Sequence, residues 1–207
     1  MRVVTGSAKG RKLKGPKTPG TRPIINRVKT ALFDILSWRV EDARFLDLFA
    51  GTGSVGIEAL SRGAASATFI ELNPQIVKLI RENLLITGLS DRAEVLHMDS
   101  FKFLQAHAAQ GISHTPTRQY DMIYVAPPQY QEMAARALGM LDGSPLLAED
   151  GLVIVQIHPK ERPGVAAVPL KRLVQTDERR YGSTLLHFFR PRKLEIEMSY
   201  ADTSADA

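Results

Sequence analysis

At 207 residues, the chain suits one full-sized domain with a small appendage. With 44% hydrophobic and 24% charged residues, and no apolar run near the ~20 residues that cross a bilayer, it reads as an ordinary soluble globular protein. There is no cysteine, which excludes disulfides and thiolate chemistry, and no apolar run follows the basic N-terminus, so no secretory signal is expected and the cytoplasm is the expected compartment.

The net charge of +5 is unevenly placed. Nine of the 27 Lys and Arg residues fall within residues 1–30 (Arg2, Lys9, Arg11, Lys12, Lys14, Lys17, Arg22, Arg27 and Lys29), where there is no acid, and the rest of the chain is net acidic. Such an arm suits phosphate binding or is a solvated tail. Val3, Val4 and Leu13 alternate with polar residues, which favours a hairpin and hence nucleic-acid binding. Arg11, Lys12, Arg22 and Arg27 are the candidate phosphate contacts.

Beyond the arm, apolar runs and turn signals alternate strand and helix. Strands are expected at 45–50, 67–71, 93–97, 120–125 and 152–157, and helices at 54–62, 74–87, 100–109 and 131–141. Residues 110–119 and 158–169 read as loops, the second containing three prolines. Two final strands, 171–176 and 184–189, are close enough to form a hairpin across 179–183, and the tail beyond Met198 reads as disordered. Alternation of this kind implies a mostly parallel sheet covered on both faces, with ligands at the carboxyl ends of the strands.

The first strand runs into Asp47-Leu48-Phe49-Ala50-Gly51-Thr52-Gly53-Ser54-Val55-Gly56, a G-x-G-x-x-G turn between strand and helix. Glu71 ends the next strand, where a carboxylate accepts hydrogen bonds from ribose hydroxyls. These features point to a nucleoside cofactor. Asp47 would repel a pyrophosphate but suits the ammonium and sulfonium of S-adenosylmethionine, which favours that cofactor over NAD. Its other reading is a structural hydrogen bond to the glycine turn. Asp99, after the third strand, fits either an adenine amino group, with Met98 on the ring, or the N-cap of the next helix. Phe49, Ala50, Thr52, Leu72 and Ser100 complete the candidate cofactor set.

After the fourth strand comes Val125-Ala126-Pro127-Pro128-Gln129-Tyr130. Two prolines fix φ twice and remove two donors, leaving a stiff loop with bare carbonyl oxygens. Such a loop can accept hydrogen bonds from an exocyclic amine while Tyr130 stacks on a base, or it is a rigid turn with Tyr130 in the core. The five histidines (His97, His107, His114, His158 and His187) are scattered without ligand spacing, and no metal is expected.

The double-proline loop resembles the Asp/Asn-Pro-Pro-Tyr/Phe motif of amino-methyltransferases acting on nucleic acids and glutamine. Further segments narrow the resemblance: Arg2-Val3-Val4-Thr5-Gly6, Gly10-Arg11-Lys12-Leu13, Arg22-Pro23, Arg27-Val28-Lys29, Leu32-Phe33, Glu58-Ala59-Leu60-Ser61-Arg62-Gly63-Ala64 and Arg180-Tyr181-Gly182-Ser183-Thr184. Together they resemble the bacterial 16S rRNA guanine-N2 methyltransferases, the RsmD family, over nearly the whole span 2–190. The resemblance implies a Rossmann-like class I S-adenosylmethionine-dependent methyltransferase: an α/β fold with a seven-stranded mostly parallel sheet, helices on both faces and a C-terminal antiparallel hairpin. It also implies a basic RNA-binding extension at 1–30, a methyltransferase domain at 31–193 and a tail at 194–207. A monomer is expected, acting on 16S rRNA in an assembling small ribosomal subunit. The residues implied in transfer are Ala126, Pro127, Pro128, Gln129 and Tyr130. Two positions depart from the family pattern: Ala126 stands where Asp or Asn is usual, and Gln129 separates Pro128 from the aromatic residue. The amine acceptor is then the carbonyls of Ala126 and Pro127, or Gln129, or the activity is altered or lost.

Overall fold

The computed structural model describes residues 1–16, 26–108, 119–129 and 132–193. Arg22, Lys17, Tyr130, Gln131, most of the expected 110–119 loop and the tail at 194–207 lie outside the described residues.

The elements are α1 (Asn26–Leu36), β1 (Arg44–Asp47), α2 (Ser54–Ser61), β2 (Ser66–Glu71), α3 (Pro74–Thr87), β3 (Ala93–His97), α4 (Ser100–Ala108), β4 (Tyr120–Val125), α5 (Met133–Leu141), β5 (Leu147–Ile157), α6 (Arg162–Ala166), β6 (Leu173–Tyr181) and β7 (Thr184–Pro191). One sheet runs in the order β3-β2-β1-β4-β5-β7-β6, with β1 to β5 parallel and β7 antiparallel to both its neighbours. The order reverses between β1 and β4, so a crevice opens where their following loops diverge, the usual ligand position in such a sheet.

Strong local signals set the best-read elements. Asn73 caps α3 by accepting the Gln75 and Ile76 N–H groups at 2.9 and 3.4 Å, Pro74 occupies the first turn, and Gly88 ends the helix in the left-handed region. The sheet alternates sides. Phe45, Phe69, Met122 and Tyr124 face a core shared with α1, α2 and α3, while Leu46, Ile70, Ile123 and Val125 face α4 and α5.

Three expectations are corrected. The 158–169 loop contains a turn of 3-10 helix at Pro159–Glu161 and the short helix α6, because His158 caps the first and Pro159 and Pro163 sit in first turns, where no N–H is missed. Strand β5 begins at Leu147 rather than 152: its pairing with Tyr120 passes a register shift, and the exposed Glu149 and Asp150 hide the strand from any apolar pattern. Strand β6 runs to Tyr181, so the hairpin turn is Gly182 and Ser183 alone, with Gly182 at φ 61°. A polar edge strand pairs through its backbone and carries little hydrophobic signature.

The N-terminal segment folds back on itself with an antiparallel Arg2–Lys12 bridge, joined by Val3 N–H to Arg11 O and Leu13 N–H to Met1 O, both at 3.0 Å. Val3, Ala8 and Leu13 are buried in the same core as Val28, Leu32 and Phe33 of α1. The hairpin lies along α2: Met1 Sδ is 3.6 Å from the Thr52 hydroxyl near one end, and Ser7 N–H donates to Ser61 O at 2.8 Å at the other. Gly6 seats the turn, with φ 86° and its Cα so close to α2 that an added Cβ would lie 1.8 Å from Ser61 O. Gly6→Ala is expected to lower stability by about 2 kcal/mol or more, read from urea unfolding; an unchanged midpoint would mean that the turn swings free of α2.

Candidate functional site

The parallel register pairs Asp47 with Tyr124 and Asp47 with Phe69, which brings the glycine turn after β1, Glu71 at the end of β2 and the double-proline loop after β4 to one edge of the sheet. Gly51 and Gly53, at φ 51° and 75°, let the chain reverse into α2. The turn is held by Ala50 N–H to Ile70 O at 3.0 Å and Gly53 N–H to Ala50 O at 2.8 Å.

Two carboxylates brace this turn from below. Glu71 accepts Gly51 N–H on Oε2 at 3.0 Å and Asn73 N–H on Oε1 at 2.8 Å. Asp47 is buried and accepts Gly56 N–H on Oδ2 at 3.1 Å. Burial pushes the Asp47 carboxyl up to about 7; the Gly56 N–H works against that rise and the charge of Glu71 adds to it. Beneath Asp47 lies Tyr124, whose hydroxyl donates to Gln156 Oε1 at 2.7 Å; burial, and then the charge of Asp47, raise its pKa well above the ordinary phenol value. The structural role read for Asp47, a bond to the glycine turn, is therefore present, alongside a second carboxylate close enough to be felt.

The next strand end joins the same edge. Met98 N–H donates to Glu71 O at 3.1 Å and His97 Nε2 lies 2.9 Å from Leu72 O, which ties the loop after β3 to the loop after β2. Leu72 and Met98 are left 62% and 39% exposed on this edge. Asp99 accepts Lys102 N–H at 2.9 Å, the capping geometry on α4, and the Ser100 hydroxyl donates to Leu48 O at 2.5 Å. Phe49 meets Phe101 edge-on at 5.8 Å between ring centroids. Ala50 and Thr52 are buried in the turn. On the β4 side Pro127 is buried, Ala126 and Gln129 are half-buried and Pro128 is exposed. The other member of that set, Tyr130, lies outside the described residues.

Of the candidate phosphate contacts, Arg11, Lys12 and Arg27 are exposed, and Arg11 Nη1 donates to Ile86 O at 3.3 Å. Lys29, counted with the cationic arm, is not a surface charge: it is 1% exposed, with Nζ 3.0 Å from Glu58 Oε2 and 2.9 Å from Arg2 O. Glu58, wholly buried, also accepts Val4 and Thr5 N–H at 2.9 Å each and pairs with Arg62 at 3.1 Å. It is a hub that sequence reasoning missed, although a glutamate inside the apolar SVGIEALS helix was a visible signal. A cleft of about 570 Å³ lies at the far end of α2, between Thr5, Phe33, Ser37 and Arg62. The Arg62 guanidinium is engaged by Glu58 and by Thr5 Oγ1 at 3.2 Å, so the cleft is distinct from the strand-end constellation.

The family model described as "Conserved hypothetical protein 95" matches residues 1–190. Ribosomal RNA small subunit methyltransferase D of Escherichia coli is 34% identical over 82% of this chain and 79% of its own length. The Haemophilus influenzae protein of that name is 33% identical over 79% and 81%. Among solved structures, a hypothetical protein of Thermus thermophilus superposes with a TM-score of 0.73 at 33% identity, covering 92% of this chain and 99% of that one. The chain belongs to this family, that of the ribosomal RNA small subunit methyltransferase D proteins.

Proposed function

We propose that this protein transfers a methyl group from S-adenosylmethionine to the exocyclic N2 amine of a guanine in small-subunit rRNA. The observation that carries the reading is the pair of carboxylates, Asp47 and Glu71, gathered under the glycine turn after β1. A pyrophosphate at that turn would meet the Asp47 carboxylate, whereas a cofactor with an ammonium and a sulfonium would be drawn to it, and Glu71 suits the ribose of a nucleoside cofactor. The exposed Leu72 and Met98, between Glu71 and Asp99, offer an apolar surface to a purine ring.

When bound, the cofactor supplies an electrophilic methyl carbon on sulfonium sulfur. The chain's own contribution is positional. Glu71 keeps free acceptor capacity for ribose hydroxyls beside the two N–H groups it already takes. Asp47 offsets positive charge from below. The carbonyls of Ala126 and Pro127 accept from the target amine and orient its nitrogen toward the methyl carbon. With such a donor bound, the nitrogen–carbon bond would form as the sulfur–carbon bond broke, releasing the neutral thioether S-adenosylhomocysteine, and the surplus proton would leave the nitrogen afterwards. Orientation of this kind contributes about 7–11 kcal/mol in favourable cases. The base must leave its stack or come from an exposed loop of the RNA, and the exposed Arg11, Lys12 and Arg27 supply cations for the backbone around it.

Calorimetric titration with S-adenosylhomocysteine and with NAD tests the cofactor, with tight binding expected for the first only. Mass spectrometry of rRNA from cells with and without this chain tests the product; loss of N2-methylguanine from 16S rRNA is the expected result, and an unchanged nucleoside profile would refute the reading. Ala126, in place of an acidic or amide acceptor, favours one second reading, an rRNA-binding factor with weakened or absent transfer. A paired variant separates the two. Tyr130→Ala is expected to cut turnover by about five- to 150-fold, through loss of about 1–3 kcal/mol of base stacking. Ala126→Asn is expected to leave the rate unchanged or raise it. Full activity in Tyr130→Ala would remove the stacking role.

A further inference from the structure

We infer that Arg136 is an RNA contact at the mouth of this site, binding a backbone phosphate next to the base presented to the double-proline loop; the inference rests on the rRNA methyltransferase reading. Arg136 lies in the first turn of α5, directly after the loop that carries Pro127 and Pro128. Its guanidinium carbon stands 4.0 Å from the centroid of the Phe101 ring. Phe101 opens α4 just beyond Asp99 and Ser100, and it is itself met edge-on by Phe49 of the loop after β1. The loop after β1 and the first turns of α4 and α5 therefore converge on one aromatic ring, with the Arg136 guanidinium over it.

Three properties of Arg136 suit an RNA contact better than a packing role. Arg136 is exposed although its guanidinium sits over a ring, so the residue reaches solvent while its charge is held close to Phe101. A guanidinium over a ring face keeps its N–H groups available as donors, and two of them can grip a phosphate through parallel hydrogen bonds. Arg136 forms no ion pair among the described residues, in contrast to Arg44, Arg62, Arg162 and Arg179, each of which has a carboxylate within 3.1 Å. The strand ends on the cofactor half carry acids, Asp47, Glu71 and Asp99, whereas Arg136 places a cation beside the loop that would receive the base.

Two substitutions in the full-length protein separate contact from packing. Arg136→Leu keeps an apolar group on Phe101 and removes the charge, while Arg136→Lys keeps the charge. With small-subunit particles from cells lacking this chain as substrate, Arg136→Leu is expected to raise KM for RNA about tenfold and to reduce the slope of log affinity against log salt by about 0.7–1. Arg136→Lys is expected to stay within about threefold of the parent. Binding of S-adenosylhomocysteine is expected to be unchanged in both. A parental KM and salt slope in Arg136→Leu would overturn the inference, leaving a mere staple between α4 and α5. Weakened S-adenosylhomocysteine binding in that variant would also overturn it, moving Arg136 to the cofactor half. A parent protein that binds S-adenosylhomocysteine yet methylates no rRNA is a different outcome: it removes the proposed function, and the inference falls with it.

Discussion

Replacing Glu58 with alanine is expected to lower stability by about 3–5 kcal/mol, the range for removing one partner of a buried ion pair. The expected size follows from what Glu58 holds. Its carboxylate is wholly buried and takes the Lys29 ammonium, the Arg62 guanidinium and the Val4 and Thr5 N–H groups. Burial lowers the pKa of Lys29 more than Glu58 raises it, so the ammonium depends on Glu58 to offset its desolvation. Without the carboxylate, a cation remains in the core and two N–H groups of the N-terminal hairpin lose their acceptor. The double variant Glu58→Gln with Lys29→Met is expected to recover most of the loss, because it removes both charges and keeps an acceptor for the backbone. Urea unfolding of the three proteins measures this; a loss below about 1 kcal/mol in Glu58→Ala would mean that water reaches Lys29.

The second large effect concerns Asp47 and depends on pH. Its carboxyl is raised from the ordinary 3.8 to about 7 in the folded chain. The fold favours the neutral form, so this group's contribution to stability is fully present below pH 3.8, declines as pH rises, and is lost above about pH 7. A shift of this size corresponds to roughly 4 kcal/mol between the two ends of that window. Asp47→Asn keeps the shape and the acceptor for Gly56 N–H while removing the titration. The variant is therefore expected to be more stable than the parent at pH 8, with the difference shrinking toward pH 4. The same substitution is expected to weaken cofactor binding at least tenfold, since the carboxylate that destabilises the empty site is the one a cationic ligand would neutralise. Urea midpoints across pH 4–8, paired with S-adenosylhomocysteine titration, check both halves. Parallel stability profiles for parent and variant would show that Asp47 is hydrated and ionised throughout.

Where a local signal was self-sufficient, chain order alone determined the outcome. The Asn-Pro start and Gly88 stop of α3, the short apolar strands β1 to β4 and the glycine turn before α2 need only their own residues to be read. The same holds for the strand-end positions of Asp47, Glu71 and Asp99, because strand alternation with helices already implies a sheet whose carboxyl edge carries the site. Elements stabilised mainly by pairing were poorly legible. The polar part of β6 and the stretch of β5 before Gly151 are strands because a neighbour offers backbone partners, not because their side chains are apolar. Helix α6 hid behind prolines that a first turn tolerates.

The tertiary structure alone decided which charges are what they appear to be. Lys29 and Arg11 look equivalent in a run of cations, yet one is sealed against Glu58 and the other faces water, because α1 turns Lys29 inward beside the hairpin. Asp47 reads as an ordinary acid, and only its burial, with the nearby charge of Glu71, raises its pKa. Arg136 and Phe101 are 35 positions apart, and their contact exists because α4 and α5 lie side by side on one face of the sheet. Charge state and contact across the fold depend on desolvation and on long-range packing, which a residue's neighbours in sequence do not specify.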